Sequence, residues 1–459
     1  MATRTTTKKG VLPILKTEEA GFERAFSKLV QRRDREAEDV ERTARKIIER
    51  VRDGGEAELR ACIAKYDGAK LSKLEVTREE WDEAAETVDP ADRAALGKAA
   101  MRVREFHRKR IPSSWEVREE GGGTFGQRVR PLARVGVYVP GGKAVYPSTV
   151  IMNAVPASVV EVPDIVMATP PNPDGTIAPE VLMAARVAGV HRVFKMGGAH
   201  AIAALAYGAG DVPRVDKIIG PGNIWVTTAK RLVYGQVDID SEAGPTEVLV
   251  IGDKSSNPAW VAADLLSQAE HEEMASAIFV TSQKGLVTRV QDQLAKQLKT
   301  LERAKIAKKA LASRGAIVLA KDLDECLEIA NRYAPEHLVL ALDSADAVAK
   351  QVENAGAIFL GHYTPVAVGD YLAGPNHVLP TGGTARFFSP LGVEHFLKRM
   401  SVLRFEPPKL RELGADVMRL AELEGLTGHA RSVDLRLQRI RRARREREAA
   451  REAEAEIEL

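Results

Sequence analysis

Gln268 and His271 stand three residues apart in DLLSQAEH, at the end of a stretch in which Trp260, Ala263, Leu266 and Ala269 recur at three- and four-residue steps. That spacing predicts a helix and sets both polar groups on one face, a turn apart, where an amide and an imidazole can converge on one small object. The helix dipole alone would also favour a histidine there, with the glutamine merely solvated. Three further segments shift the balance: APEHL at 334–338, VGDYLAGPNHVLPT at 368–381 and EGLTGH at 424–429, each short, polar and placed where an apolar pattern breaks off. Together they predict one divided site. Glu336 and His337 put a carboxylate beside an imidazole, which is what proton transfer near neutral pH requires. Their competing reading is a turn imposed by Pro335 between helix and strand. Asp370 and His377 lie in a glycine-rich connection long enough to be an active-site loop, against the alternative of plain turn chemistry. Glu424 competes with an exposed helix charge and Thr246 with a cap. His107, His191, His362 and His395 stand alone and receive no role.

The elements that must position these groups change character along the chain. Residues 19–110 read as helices, punctuated by Gly54-Gly55 and Asp67-Gly68 and closed by Pro112. From Arg134 onward come VGVYVP, DIVMAT, RVFKMG, DKIIG, EVLVIGD, AIFVTS, AIVLA, HLVLAL and AIFLG, most separated by helical pattern. Continuous apolar strands joined by helices predict parallel sheets covered on both faces, and nine runs fit two sheets better than one. Beyond Pro407-Pro408 the pattern is again helical. Its last stretch, RLQRIRRARREREAAREAEAEIEL, reads as a solvated helix held by arginine–glutamate pairs.

At 459 residues and 44% apolar content the chain has the size of about two or three globular domains. No uncharged apolar run reaches about 18 residues and MATRTTTKKG lacks an apolar signal core, so no membrane association and a cytoplasmic location are expected. Cys62 and Cys326 are the two cysteines, too few and too far apart for a disulfide framework or a thiolate zinc site. Any metal must be held by nitrogen and oxygen. A net charge of +3 gives no reason to expect nucleic acid as partner, and no aromatic residue is interleaved among the arginines of the tail.

GGGTFG at 121–126 matches a dinucleotide fingerprint by letter but lacks the strand–turn–helix context and reads as a loop. GVYVPGGK at 136–143 approaches a phosphate-binding P-loop, yet Ala144 stands where a magnesium-binding hydroxyl belongs, which argues against ATP hydrolysis. The glycine turns at 139–149, 196–205 and 219–226 each follow an apolar run. They belong on one rim of an α/β sheet, either as a phosphate-binding edge or as ordinary tight connections.

VGVYVPGGKAVYPSTVIMNAVPA, GPGNIWV, AGPTEVLVIGD, LSQAEH, NRYAPEHL, GDYLAGPNHVLPTGG and LAELEGLTGHARSV, in this order, closely resemble histidinol dehydrogenase, over nearly the whole chain as far as Val433. The resemblance implies an NAD-dependent enzyme with one zinc ion per subunit that oxidises L-histidinol through L-histidinal to L-histidine, the last step of histidine biosynthesis. It implies zinc ligands Gln268, His271 and Asp370 with His429 from the partner's tail, hence a homodimer with shared sites. The metal ligands also face the substrate, together with Thr246, His337, His377 and Glu424. Glu336 and His337 are the implied catalytic pair, and Tyr138, His200 and Asn223 the implied NAD contacts. Two residues depart from the family pattern: Thr246 replaces serine and keeps the hydroxyl, and His200 replaces glutamine and makes that contact pH-sensitive. The implied fold is α/β, with two Rossmann-like domains of mainly parallel sheets covered by helices and with helical N- and C-terminal arms. Its divisions are an arm at 1–32, a first domain at 33–137 plus 246–391 carrying the metal and catalytic residues, an NAD-side domain at 138–245, and a tail at 392–459.

This set is chemically coherent. Two imidazoles, a carboxylate and an amide suit zinc where thiolates are absent and leave positions open for the substrate's nitrogens. His337 would take the hydroxyl proton as hydride leaves carbon, and Glu336 would activate the water that converts the aldehyde to a hydrate. Two other readings use the same residues: a metal-dependent hydrolase with Glu336 as base, which needs no NAD, and a non-catalytic protein binding through its charged last helix.

Overall fold

The computed structural model describes residues 10–31, 38–141, 145–242 and 244–457. These form two compact units, residues 10–111 with 131–396, and 112–130 with 397–457.

The strands in chain order are β1 (Ile14–Lys16), β2 (Trp115–Glu119), β3 (Gly123–Pro131), β4 (Arg134–Tyr138) and β5 (Asp164–Thr169). There follow β6 (Arg192–Lys195), β7 (Lys217–Ile219), β8 (Asp238–Ile239), β9 (Glu247–Gly252) and β10 (Ser276–Thr281). The last are β11 (Ala316–Leu319), β12 (His337–Ala341), β13 (Ala357–Leu360) and β14 (Leu397–Phe405). The first unit holds a six-stranded sheet, β1-β11-β10-β9-β12-β13, and a five-stranded sheet, β6-β5-β4-β7-β8, each parallel throughout. All nine apolar runs are strands of these sheets. Numbered within each repeat, both follow the order 3-2-1-4-5, the six-stranded sheet gaining β1 at its edge.

Both faces of the six-stranded sheet are covered, which is why its strands are apolar without interruption. Val248 and Val250 of β9 pack with the helices Pro258–Ala269 and Lys284–Gln297, whereas Leu249 and Ile251 pack with Phe22–Val30 and Leu323–Tyr333. Successive residues go to opposite cores, as the two-residue period of a strand dictates.

The sequence-based boundaries differ from this arrangement: residues 112–130, expected within 33–137, fall in the second unit. The helix Glu38–Cys62 packs along Gly198–Tyr207 and Ile224–Val233, on the five-stranded sheet. β4 is the middle strand of that sheet, so a division at 137/138 cuts through it. The expected helical arm at the N-terminus contains β1 as well as the helix Phe22–Val30, because three residues after Pro13 suffice to pair with β11.

The second unit contains the three-stranded sheet β14-β3-β2 and the helices Pro407–Leu423 and Thr427–Ile457. GGGTFG is the turn and start of a β2–β3 hairpin, not a phosphate loop. β2 and β14 carried no sequence signal, since WEVRE is exposed along its length and LKRMSVLRF is mostly so. Gly414 lies against Leu437 where the two helices cross. The last helix carries Arg442–Glu446 and Arg444–Glu448 pairs at 2.8 and 2.7 Å, the expected self-supporting pattern. Among the described residues no helix is long and apolar enough to cross a membrane.

Candidate active site

β9 and β12 are parallel neighbours with His337 opposite Val248, so Thr246 and Glu247 enter β9 beside Glu336 and His337 entering β12. The helix Leu323–Tyr333 is stopped by Ala334 in the left-handed region (φ 50°) and by Pro335, which turns the chain sharply into Glu336. His337 is 3% exposed. Its Nδ1 donates to the Glu247 carbonyl at 2.8 Å, which leaves Nε2 as the working atom, 3.6 Å from Asp370 Oδ1. Burial pushes the imidazole down, but the charge of Glu336 and the bond to Asp370 outweigh it and lift His337 to about 10. Burial raises the Asp370 carboxyl, but His337, His377 and His271 outweigh it and hold the group below the usual range.

Glu336 Oε2 accepts the Thr246 hydroxyl at 2.7 Å and the Glu247 N–H at 2.8 Å. Thr246 Oγ1 also lies 2.8 Å from Gln268 Oε1. Gln268 occupies the last turn of the helix Pro258–Ala269 and is 1% exposed; His271 lies just past its end and is exposed. The expected apolar face of that helix is shifted. Leu266 and Ala269 are buried with Val261, Ala262 and Leu265, while Trp260 and Ala263 face outward. Trp260 instead packs at a tilt against Tyr363, at 5.3 Å between ring centres.

Asp370 is in the last turn of the helix Val366–Tyr371, and its carbonyl bonds His377 Nδ1 at 2.9 Å. Burial lowers the His377 pKa. The loop between them is pinned from the other sheet's helices. Arg102 donates to the carbonyls of Leu372 and Ala373, and the buried Asn376 amide donates to Met152 O at 2.6 Å while accepting from Val378 N at 2.8 Å.

Thr246, Gln268, Glu336, His337, Asp370 and His377 therefore form one cluster, with His271 at its edge within electrostatic reach of Asp370. Glu424 and His429 belong to the second unit, as exposed residues around the Gly425 turn between its two helices. Among the described residues no three His, Cys, Asp or Glu side chains gather as a ready metal site. The amide of Gln268, the carboxylate of Asp370 and the imidazole of His271 are donors of kinds chemically suited to zinc.

The three glycine turns do share the rim at the carboxyl ends of β4, β6 and β7; residues 142–144, with part of the first turn and of GVYVPGGK, lie outside the described residues. The donors on this rim are largely taken up internally. Asp67 Oδ2 accepts from Gly197 N at 3.0 Å and meets His200 Nε2 at 2.8 Å, so His200, 1% exposed, faces Asp67. The Tyr138 hydroxyl, driven up to about 12 by burial, accepts from Gly198 N at 3.1 Å. Asn223 Oδ1 caps Trp225 N and Val226 N at 3.1 and 3.2 Å. At Gly220 (φ 115°) any Cβ would collide with the Tyr138 carbonyl, and its N–H donates to Asp240 Oδ2 at 2.7 Å.

Sequence reasoning missed Glu247, Asn376, Arg102, Asp67, Asp240 and Lys230, whose Nζ donates to the Gly220 carbonyl at 2.9 Å. Glu247 and Asn376 adjoin Thr246 and His377 and could have been drawn in by position. Asp67 registered only as turn punctuation, and Lys230 and Asp240 carried no signal.

The sequence model of the histidinol dehydrogenase family matches residues 30–437. The histidinol dehydrogenase of Syntrophotalea carbinolica is 50% identical over 429 residues, covering 93% of this chain and 99% of that protein. That of Methanothermobacter thermautotrophicus is 46% identical over 414 residues, covering 90% and 97%. A crystal structure of histidinol dehydrogenase from Elizabethkingia anophelis superposes with a TM-score of 0.89 at 33% identity, covering 95% of this chain and all (100%) of that one. With the motifs, the fold and these likenesses in agreement, the chain belongs to the histidinol dehydrogenase family.

Proposed function

We propose that the protein oxidises L-histidinol to L-histidine through L-histidinal, with NAD as hydride acceptor and one zinc ion per subunit, as a homodimer in the cytoplasm. The observation that carries this reading is the buried Glu336–His337 pair, whose Nε2 is directed by the Glu247 carbonyl toward Asp370. Gln268, His271 and Asp370, with His429 supplied by the partner subunit, would hold the zinc. When bound, zinc would orient the substrate's imidazole and amine, and NAD would carry away one hydride in each round.

His337 takes the hydroxyl proton at Nε2 in the first oxidation. Glu336 takes a proton from the water that adds to the aldehyde, giving a hydrate whose C–H can leave as hydride. His337 acts as base only from its neutral form, which the charges of Glu336 and Asp370 oppose; a cation on Asp370 removes one of them. Both groups leave one strand start, which lets a single site serve two successive steps. Thr246, His377 and Glu424 complete the substrate surroundings. Tyr138, His200 and Asn223 shape the cofactor rim, chiefly by holding its turns.

The test is stoichiometry: two NADH per L-histidinol consumed, lost on chelation and regained with zinc. Turnover of a substrate without dinucleotide, or one NADH per histidinol, would reject the reading.

A further inference from the structure

The Thr246 hydroxyl has one hydrogen but two oxygen neighbours at bonding distance, Glu336 Oε2 at 2.7 Å and Gln268 Oε1 at 2.8 Å. One hydrogen serves one acceptor well. Gln268 is 1% exposed, so water cannot make up the difference. The two ends of an amide have the same shape, and hydrogen bonding decides which way it faces. Turned half a revolution about its last bond, the amide sets Nε2 against Thr246. Its N–H then donates to Oγ1, and the hydroxyl donates to Glu336. The Thr246 hydroxyl then both accepts and donates, and the Gln268 carbonyl oxygen points away from Thr246. The alternative, a protonated Glu336 donating to Thr246, would set the Glu247 N–H, at 2.8 Å, against an oxygen that itself carries a proton.

We propose that Thr246 is a positioning residue whose hydroxyl fixes the Gln268 amide with its nitrogen inward and its oxygen outward, toward a divalent cation, while anchoring Glu336 through the same chain of bonds. The β-branch of threonine restricts χ1 and so holds the hydroxyl in this relay. The inference rests on the zinc reading above, and gives Thr246 the orientation of a metal ligand as a role beyond its place in the substrate surroundings.

The experiment measures zinc affinity of the metal-stripped full chain by competition with a chromophoric chelator, with no substrate present and folding checked by circular dichroism. Thr246→Val should weaken zinc about 10- to 100-fold, as loss of a group that orients a metal ligand does, and Thr246→Ser should stay within about threefold of the parent. In a Gln268→Glu background, where both ends of the side chain are oxygen, adding Thr246→Val should change zinc affinity by less than about threefold, the coupling having vanished. Parent-like zinc binding by Thr246→Val with a raised KM for L-histidinol would overturn the proposal in favour of a direct substrate contact. So would Thr246→Ser binding as weakly as Thr246→Val. A parent protein that takes up no zinc would instead remove the functional reading itself.

Discussion

The two parallel sheets share strand order and direction, yet their polar clusters sit at opposite ends. On the five-stranded sheet the glycine turns and their tethers lie at the carboxyl ends of β4, β6 and β7, where the helices Gly198–Tyr207 and Ile224–Val233 begin. On the six-stranded sheet Thr246, Glu247, Glu336 and His337 lie at the amino ends of β9 and β12, and Gln268 and Asp370 sit in the last turns of their helices. Helix starts favour anions and helix ends favour cations. One topology, used at its two ends, thus underlies the division proposed above, with the cofactor at one sheet and the metal and substrate at the other. The loop 372–378 joins them, since it carries His377 yet is held by Met152 and Arg102 from helices beside the five-stranded sheet.

The sharpest way to break this division is at the amino-end cluster. His337→Asn should lower kcat about 10²- to 10⁴-fold, the usual cost of losing a general base, with zinc uptake retained, as steady-state kinetics and metal analysis would show. At the opposite end the effect should fall on stability. Lys230 Nζ bonds Asp240 and the Gly220 carbonyl in a pair only 3% and 4% exposed. Lys230→Met strands a buried carboxylate and should cost about 3–5 kcal/mol in urea unfolding. If it lowered kcat as far as His337→Asn does, with stability unchanged, the division would fail.

The smallest effect concerns the helix Pro90–Arg108, which carries Arg102. His107 on it is fully buried with neither ring nitrogen bonded, and burial, aided by the Arg110 charge, holds its pKa down at about 4. The unfolded chain takes up that proton near 6.5 and the folded chain only near 4. This residue's contribution is therefore complete above pH 6.5 and declines as pH falls toward 4. The loss should be on the order of 3 kcal/mol, and His107→Leu should flatten that part of the stability–pH curve. An unchanged slope would mean that His107 is protonated in the fold.

Much of the fold was legible because a strand buried on both faces must be apolar throughout, and HLVLA or EVLVIG can do little else. β1 and β8, three and two residues long, and the largely exposed β2 and β14 were not legible. In the site, Glu336, His337, Asp370 and His377 stood out as polar groups interrupting apolar patterns. Glu247 did not, since its part is played by a backbone carbonyl, which every residue has. Asn376 and Arg102 act through partners 224 and 270 residues away, and no local pattern records such a bond.

The chain by itself determined its class, most strands of its parallel sheets and the residue types able to bind a metal and move protons, because hydrophobic period and side-chain chemistry are local properties. Only the tertiary structure decided which end of each sheet those residues occupy, that Asp67 and Asp240 fill the donors of two glycine turns, and that the hydroxyl of Thr246 lies between Gln268 and Glu336. Those outcomes depend on distances between segments far apart in sequence, which parallel pairing and helix packing set together.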